Sequence, residues 1–165
     1  MKQLIITSIL FVLTITVQAQ TFEEAGFCFI SEKISLKKDN TSLPFLEGMS
    51  EKEKKQIAGE LYYYLNTTIR FSANISVKDI EDRDKAYMNF LQELKKKQVY
   101  NFQKGTCKGL KSYFIFQKNK DEDKETQFVC FFCTDVKSYT FTFYFEDYDK
   151  IQSIITHVIE HFVLI

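Results

Sequence analysis

Near the end of the chain stands His157-Val158-Ile159-Glu160-His161, the H-x-x-E-H spacing of inverted zinc proteases. On a helix, histidines four apart share a face, so two imidazoles could grip one zinc while the glutamate serves as general base. Such a site needs a third protein ligand downstream, and only Phe162–Ile165 follow. At about 100° per residue both imidazoles fall on the flank of an apolar stripe beside Ile154, and Glu160 turns outward. That is the pattern of boundary histidines on an amphipathic helix. No metal is expected at His157 and His161. A metal-dependent hydrolase using His157, Glu160 and His161 is the minor alternative.

Cys130-Phe131-Phe132-Cys133 is a second candidate. A redox C-x-x-C opens a helix, where the macrodipole lowers the first thiol's pKa. Here it lies in an aromatic run that reads as a strand. Residues three apart on a strand face opposite sides and lie roughly 10 Å apart, beyond the roughly 4.4–6.8 Å Cα span of a disulfide. Neither a mutual bond nor a shared metal is expected. Any disulfide must join Cys130 or Cys133 to another element, with Cys28 and Cys107 as partners; buried thiols are the other reading of these four residues. Asn119, Asp121, Asp123 and Glu125 alternate like calcium ligands but lack the central glycine and distal glutamate of an EF-hand loop. Interleaved Lys118, Lys120 and Lys124 weaken their field, so the run reads as a solvated hairpin loop. No phosphate-binding glycine loop or G-x-S-x-G elbow occurs. The chain is expected to have no catalytic residue, metal or cofactor, and not to be an enzyme.

The first nineteen residues read as a secretory signal peptide. Lys2 supplies the positive start, Leu4–Val17 an apolar stretch, and Val17-Gln18-Ala19 the small-residue cleavage site. The stretch is short of the roughly 20 residues that span a bilayer. The expected organisation is a signal peptide at 1–19 and a single α+β domain at 20–165, secreted or periplasmic. Lysine and arginine total 22, as do aspartate and glutamate. That balance argues against nucleic acid or an anionic membrane as partner, since each rewards a basic excess. Three glycosylation sequons begin at Asn40, Asn66 and Asn74. They matter only in a eukaryotic source.

The elements that must position these residues follow from periodicity. Residues 22–36 read as one strand or a short hairpin, and 37–49 as a polar connection holding Pro44 and Gly48. Ser50 and Glu53 form a capping box, predicting a helix with Ile57, Leu61, Tyr64 and Leu65 at helical spacing that fades near Asn66. On that helix Tyr62, Tyr63 and Tyr64 cannot share a face. After a looser segment, a second helix starts near Asp79 or Asp82, carries Tyr87, Phe90, Leu91 and Leu94, and ends at Lys95-Lys96-Lys97, cations suited to a helix C-terminus. Strand-like runs then cover 99–104, 110–117, 126–133 and 138–145. The third is apolar on both faces, as a strand covered on both sides would be. A last helix from Asp147 or Asp149 turns Ile151, Ile154, Ile155, Val158 and Phe162 inward. Short connections between consecutive strands favour an antiparallel sheet with helices packed on it, an α/β/α sandwich-like α+β fold, with 126–133 and 138–145 paired at its heart.

Tyr87–Leu94, Val99–Phe102, Gly109–Phe116, Phe128–Cys133, Tyr139–Phe145 and Ile151–Phe162 follow in the order of the C-terminal half of Mog1/PsbP-like proteins, which this chain resembles over residues 86–164. The resemblance implies a non-enzymatic accessory or binding module, often exported, and carries no site residues with it. The expected partner is another protein or a small ligand, with no nucleic acid and no stable membrane insertion. A periplasmic immunity or inhibitor protein is the alternative of the same size and charge.

Overall fold

Aromatic and β-branched side chains crowd the chain from Glu60 onward, and such residues fit a pleated, half-buried surface. The computed structural model describes residues 19–38, 60–118 and 126–165. The elements are β1 (Ala19–Phe22), β2 (Phe27–Ile30), β3 (Lys37–Lys38), β4 (Glu60–Asn66), β5 (Phe71–Asp79), α1 (Arg83–Lys96), β6 (Phe102–Cys107), β7 (Leu110–Lys118), β8 (Thr126–Cys133), β9 (Lys137–Phe145), α2 (Tyr148–His161) and β10 (Phe162–Leu164). Among the described residues one antiparallel sheet runs β3-β4-β5-β9-β8-β7-β6 and a small one runs β1-β2-β10. The predicted hairpin holds: β8 pairs with β9 from Thr126 opposite Phe145 to Cys133 opposite Ser138.

Because side chains alternate along a strand, β8 feeds two separate cores. Cys130 and Phe132 enter the larger one with Ile75, Phe141 and Phe143 of the sheet, Ile151, Ile155 and Val158 of α2, and Phe27, Phe29 and Phe162 of the small sheet. Phe131 and Cys133 enter the smaller one, where Tyr87, Phe90 and Leu91 of α1 pack with Tyr113. The Phe90 ring lies flat on Phe131 at 4.0 Å. Tyr87 donates its hydroxyl to the Lys111 carbonyl and accepts the Cys133 amide at 3.1 Å. The two helices therefore cover opposite faces of the sheet, the α+β layering expected. Asp82 caps α1 by accepting the Lys85 amide at 2.6 Å, and Asp147 caps α2 by accepting the Asp149 amide at 3.2 Å. No helix among the described residues is long and apolar enough to cross a membrane.

Four expectations need correction. Glu60–Asn66, read as the end of a helix, is strand β4. Leu61, Tyr63 and Leu65 alternate there with Tyr62 and Tyr64, and pairing with β5 along its full length overrides the local helical spacing. The looser segment before α1 is β5, where Phe71, Ala73, Ile75 and Val77 are buried and the residues between them are not. Phe162 points inward from strand β10, not from the last helix, because the backbone turns extended there (ψ 127°) and pairs with Phe29. β6 begins at Phe102, so the strand expected at 99–104 is shifted toward the hairpin tip. The 22–36 region is a hairpin of β1 and β2 around a 3-10 turn at Glu23–Ala25. Residues 1–18 of the leader, residues 39–49 of the Pro44 connection, the Ser50/Glu53 box, Asn40 and the Asn119–Glu125 run lie outside the described residues.

Two substitutions test this packing. Phe132 is fully buried, and Phe132→Ala should cost about 3–5 kcal/mol in urea unfolding. Gly26 has φ +69°, and a Cβ there would lie 3.0 Å from the Tyr139 hydroxyl, which donates to the Ala25 carbonyl at 2.9 Å. Gly26→Ala should cost at least about 1 kcal/mol. Losses within the error of the measurement at both positions would contradict the arrangement.

Candidate functional site

Helix α2 presents the histidine pair as its spacing dictates: His157 and His161 are half-buried at the edge of the apolar stripe and Glu160 is exposed. Their rings stack at 3.7 Å. The His157 Nε2 atom lies 2.8 Å from the Ser31 hydroxyl, and His161 Nδ1 lies 2.8 Å from the His157 carbonyl. One nitrogen of each ring is thus engaged within the protein. Among the described residues no cluster of three His, Cys, Asp or Glu converges here. Ser31 itself is buried and accepts the Lys33 and Ile34 amides at 3.1 and 3.0 Å. Its oxygen has no free lone pair with which to attack a substrate. The contact ties the β2–β3 connection to α2. Sequence reading missed Ser31 because it lies 126 positions from His157 and carries no motif.

The C-x-x-C pair divides between the two cores, as strand alternation requires: Cys130 in the larger and Cys133 in the smaller. All four cysteines are free thiols. Burial pushes the Cys133 thiol up to about 12, countered weakly by Arg83. The Cys107 thiol, which reaches Cys130 by a hydrogen bond, and burial push Cys130 up as well. Neither thiol of the motif carries the thiolate character of a redox nucleophile. Cys28 is half-buried on β2 and stays apart from the larger core.

A groove opens where α2 begins. Its floor is Phe114 and Phe128, stacked at 6.2 Å. Phe116 and Tyr148 form one wall, edge to face at 5.4 Å, and Asn101 and Gln103 line the rim beside Ile115, enclosing about 320 Å³. Gln103 is opposite Phe114 across the β6–β7 ladder, so its side chain shares the floor's face. Gly105 makes the floor flat: a Cβ there would meet the Phe114 ring at 2.8 Å. Phe116 is 48% exposed and Tyr148 37%. The lining carries no charge. It is shaped to take up an apolar or ring-bearing group, with two amides left to hydrogen-bond its polar edge. Strand alternation placed Phe114 and Phe116 together in the sequence, but nothing there linked them to Tyr148 or Gln103.

On the far side, Lys38 bonds Glu60 at 2.6 Å and reaches Glu24 at 3.6 Å. Tyr62 also donates to Glu60. Burial and then the bond to Glu60 raise the Tyr62 hydroxyl well above the usual range, so it stays protonated. This satisfied network closes the end of the sheet at β3 and β4 and has no group poised for proton transfer. Asn66 spends its side-chain oxygen on the Thr68 and Ile69 amides in the β4–β5 turn.

No family model and no curated protein sequence matches the chain. Among solved structures it is similar to the solution structure of cyanobacterial PsbP (CyanoP) from Synechocystis sp. PCC 6803. That similarity has a TM-score of 0.57 at 11% identity, over 97% of this chain and 99% of the other. At such identity the likeness shows a shared fold. It extends the resemblance seen in the C-terminal half across the N-terminal strands as well.

The burial of the thiols sets their reactivity. In the reduced native protein, iodoacetamide should modify Cys28 first, with Cys130 and Cys133 at least about tenfold slower until the chain is denatured. Peptide mass mapping over time reads this directly. Cys133 labelling as fast as Cys28 would contradict its place beneath α1.

Proposed function

We propose that this chain is an exported, non-catalytic binding protein of the accessory kind, which takes another protein or a small ligand at the aromatic groove. The observation that carries this reading is the uncharged groove itself, with Phe116 and Tyr148 held half in water beside two free-standing amides. Exposed aromatic side chains grouped around a concavity, with polar groups at its rim, are the mark of a contact surface. β6 flanks the groove and ends the large sheet among the described residues. A bound chain could therefore meet both an aromatic floor and a strand edge. The balanced charge supports a partner other than nucleic acid. The PsbP-like fold supports an accessory role by analogy of fold alone. An immunity or inhibitor protein would be one form of this function. Against the hydrolase reading stands the Ser31 contact, which engages His157 Nε2 and leaves only its Nδ1 for a metal or a substrate proton.

A photo-crosslinking residue at position 116, compared with one at the somewhat more exposed Met88 on α1, tests the surface in the native export fraction. Position 116 should give one dominant adduct that Tyr148→Ala weakens at least about fivefold, and position 88 should not give it. The same adducts from both positions, or none from 116, would contradict the groove. Hydrolytic turnover lost in His157→Ala would replace the proposal with the alternative.

A further inference from the structure

We propose that Ser31, His157 and His161 form an acid-released latch that holds the connection between β2 and β3 on α2 at neutral pH and frees it in mild acid. The inference is independent of the groove. A serine hydroxyl offers one donor and two acceptor positions. In Ser31 both acceptor positions are filled by the Lys33 and Ile34 amides at 3.1 and 3.0 Å. Its proton is left to donate, and the acceptor 2.8 Å away is His157 Nε2. That bond requires a neutral imidazole with its hydrogen on Nδ1.

Protonation of His157 reverses the contact. Nε2 then carries a hydrogen that faces an oxygen with no lone pair to accept it. Either the connection gives up its turn amides or the ring swings off the serine. The surrounding charges point the same way. The His161 ring is stacked at 3.7 Å, and His161 is held in place by its Nδ1 bond to the His157 carbonyl. Lys33 comes from the connection itself. Burial, then His161, then Lys33 keep the His157 pKa below its ordinary value, and Glu160 opposes them. Glu160 is exposed, so water and salt screen its contribution.

The released stretch has a defined end. Gln20 clamps Leu36 from both sides, accepting its amide at 2.8 Å and donating to its carbonyl at 3.0 Å. Release therefore runs from Ser31 to the clamp and uncovers Ile34, which is buried in the closed form. A histidine whose closed-state pKa lies below the free value of about 6.5 binds fewer protons closed than open. The latch is then at full strength above about pH 6.5 and weakens as the pH falls from there toward the closed-state pKa.

Two NMR measurements on the full chain test this. Titration of the His157 ring should give a pKa below that of a free histidine, with Nδ1 protonated at neutral pH; a pKa at or above about 6.5, or an Nε2-protonated ring, overturns the latch. Protection factors of the Lys33 and Ile34 amides, corrected for intrinsic exchange, should drop at least about fivefold between pH 7.5 and 5.0 in the wild type. In His157→Gln, whose amide oxygen accepts the Ser31 proton at any pH, they should stay level. Equal drops in both proteins, or none in the wild type, overturn the proposal. If His157→Gln is unfolded, the ring titration decides alone.

Discussion

From Cys130 to Cys133, strand β8 has no face turned to water. Cys130 and Phe132 are sealed beneath α2 and the small sheet, and Phe131 and Cys133 beneath α1. Its two edges are filled by β7 and β9. A strand in that position satisfies its backbone through the ladders and its side chains through two cores at once. Losing either neighbour would strand polar backbone groups in an apolar interior. The remaining elements arrange themselves around this requirement. The 14-residue helices, each about 21 Å long, lie on opposite faces. The small sheet closes the larger core with three phenylalanines, Phe27, Phe29 and Phe162.

The same two cores set the environment of the C-x-x-C thiols. Cys130 and Cys133 are reactive residue types placed where thiolates are disfavoured. One nitrogen of His157 is taken by Ser31, and one of His161 by its own helix. What stays open is the part of the sheet that the helices do not reach. α2 begins at Tyr148, beside Phe116, so the β6–β7 hairpin beyond it keeps an uncovered aromatic floor. Gly105 keeps that floor flat by giving the Phe114 ring room to lie against the strand. The groove follows from helix length and one missing side chain.

Much of this arrangement was legible from residue pattern. The two-sided apolar run 126–133, the clean alternation of 138–145 and the acid-capped starts of both helices match β8, β9, α1 and α2 closely. The misreadings share a physical origin. Leu61, Tyr64 and Leu65 fit a helical count, but their energy comes from pairing with β5, a partner that local spacing cannot reveal. β5 did carry its own signal, Phe71, Ala73, Ile75 and Val77 alternating with polar residues, and that period of two outweighs the look of a loose segment. Ser31, Gln103 and Tyr148 belong to contacts made by chain segments far apart in sequence. Their roles come from the fold, so no short motif announces them.

Native-state hydrogen exchange in increasing denaturant addresses the central claim that β8 is the element on which the fold rests. The amides of Val129, Cys130 and Phe131 should exchange only through global unfolding, with a free energy equal to that from equilibrium denaturation and a full denaturant slope. β3 and β10 should open at lower free energies. Exchange of β8 through a small, denaturant-insensitive opening, at a free energy below that of β4 or β5, would contradict the account.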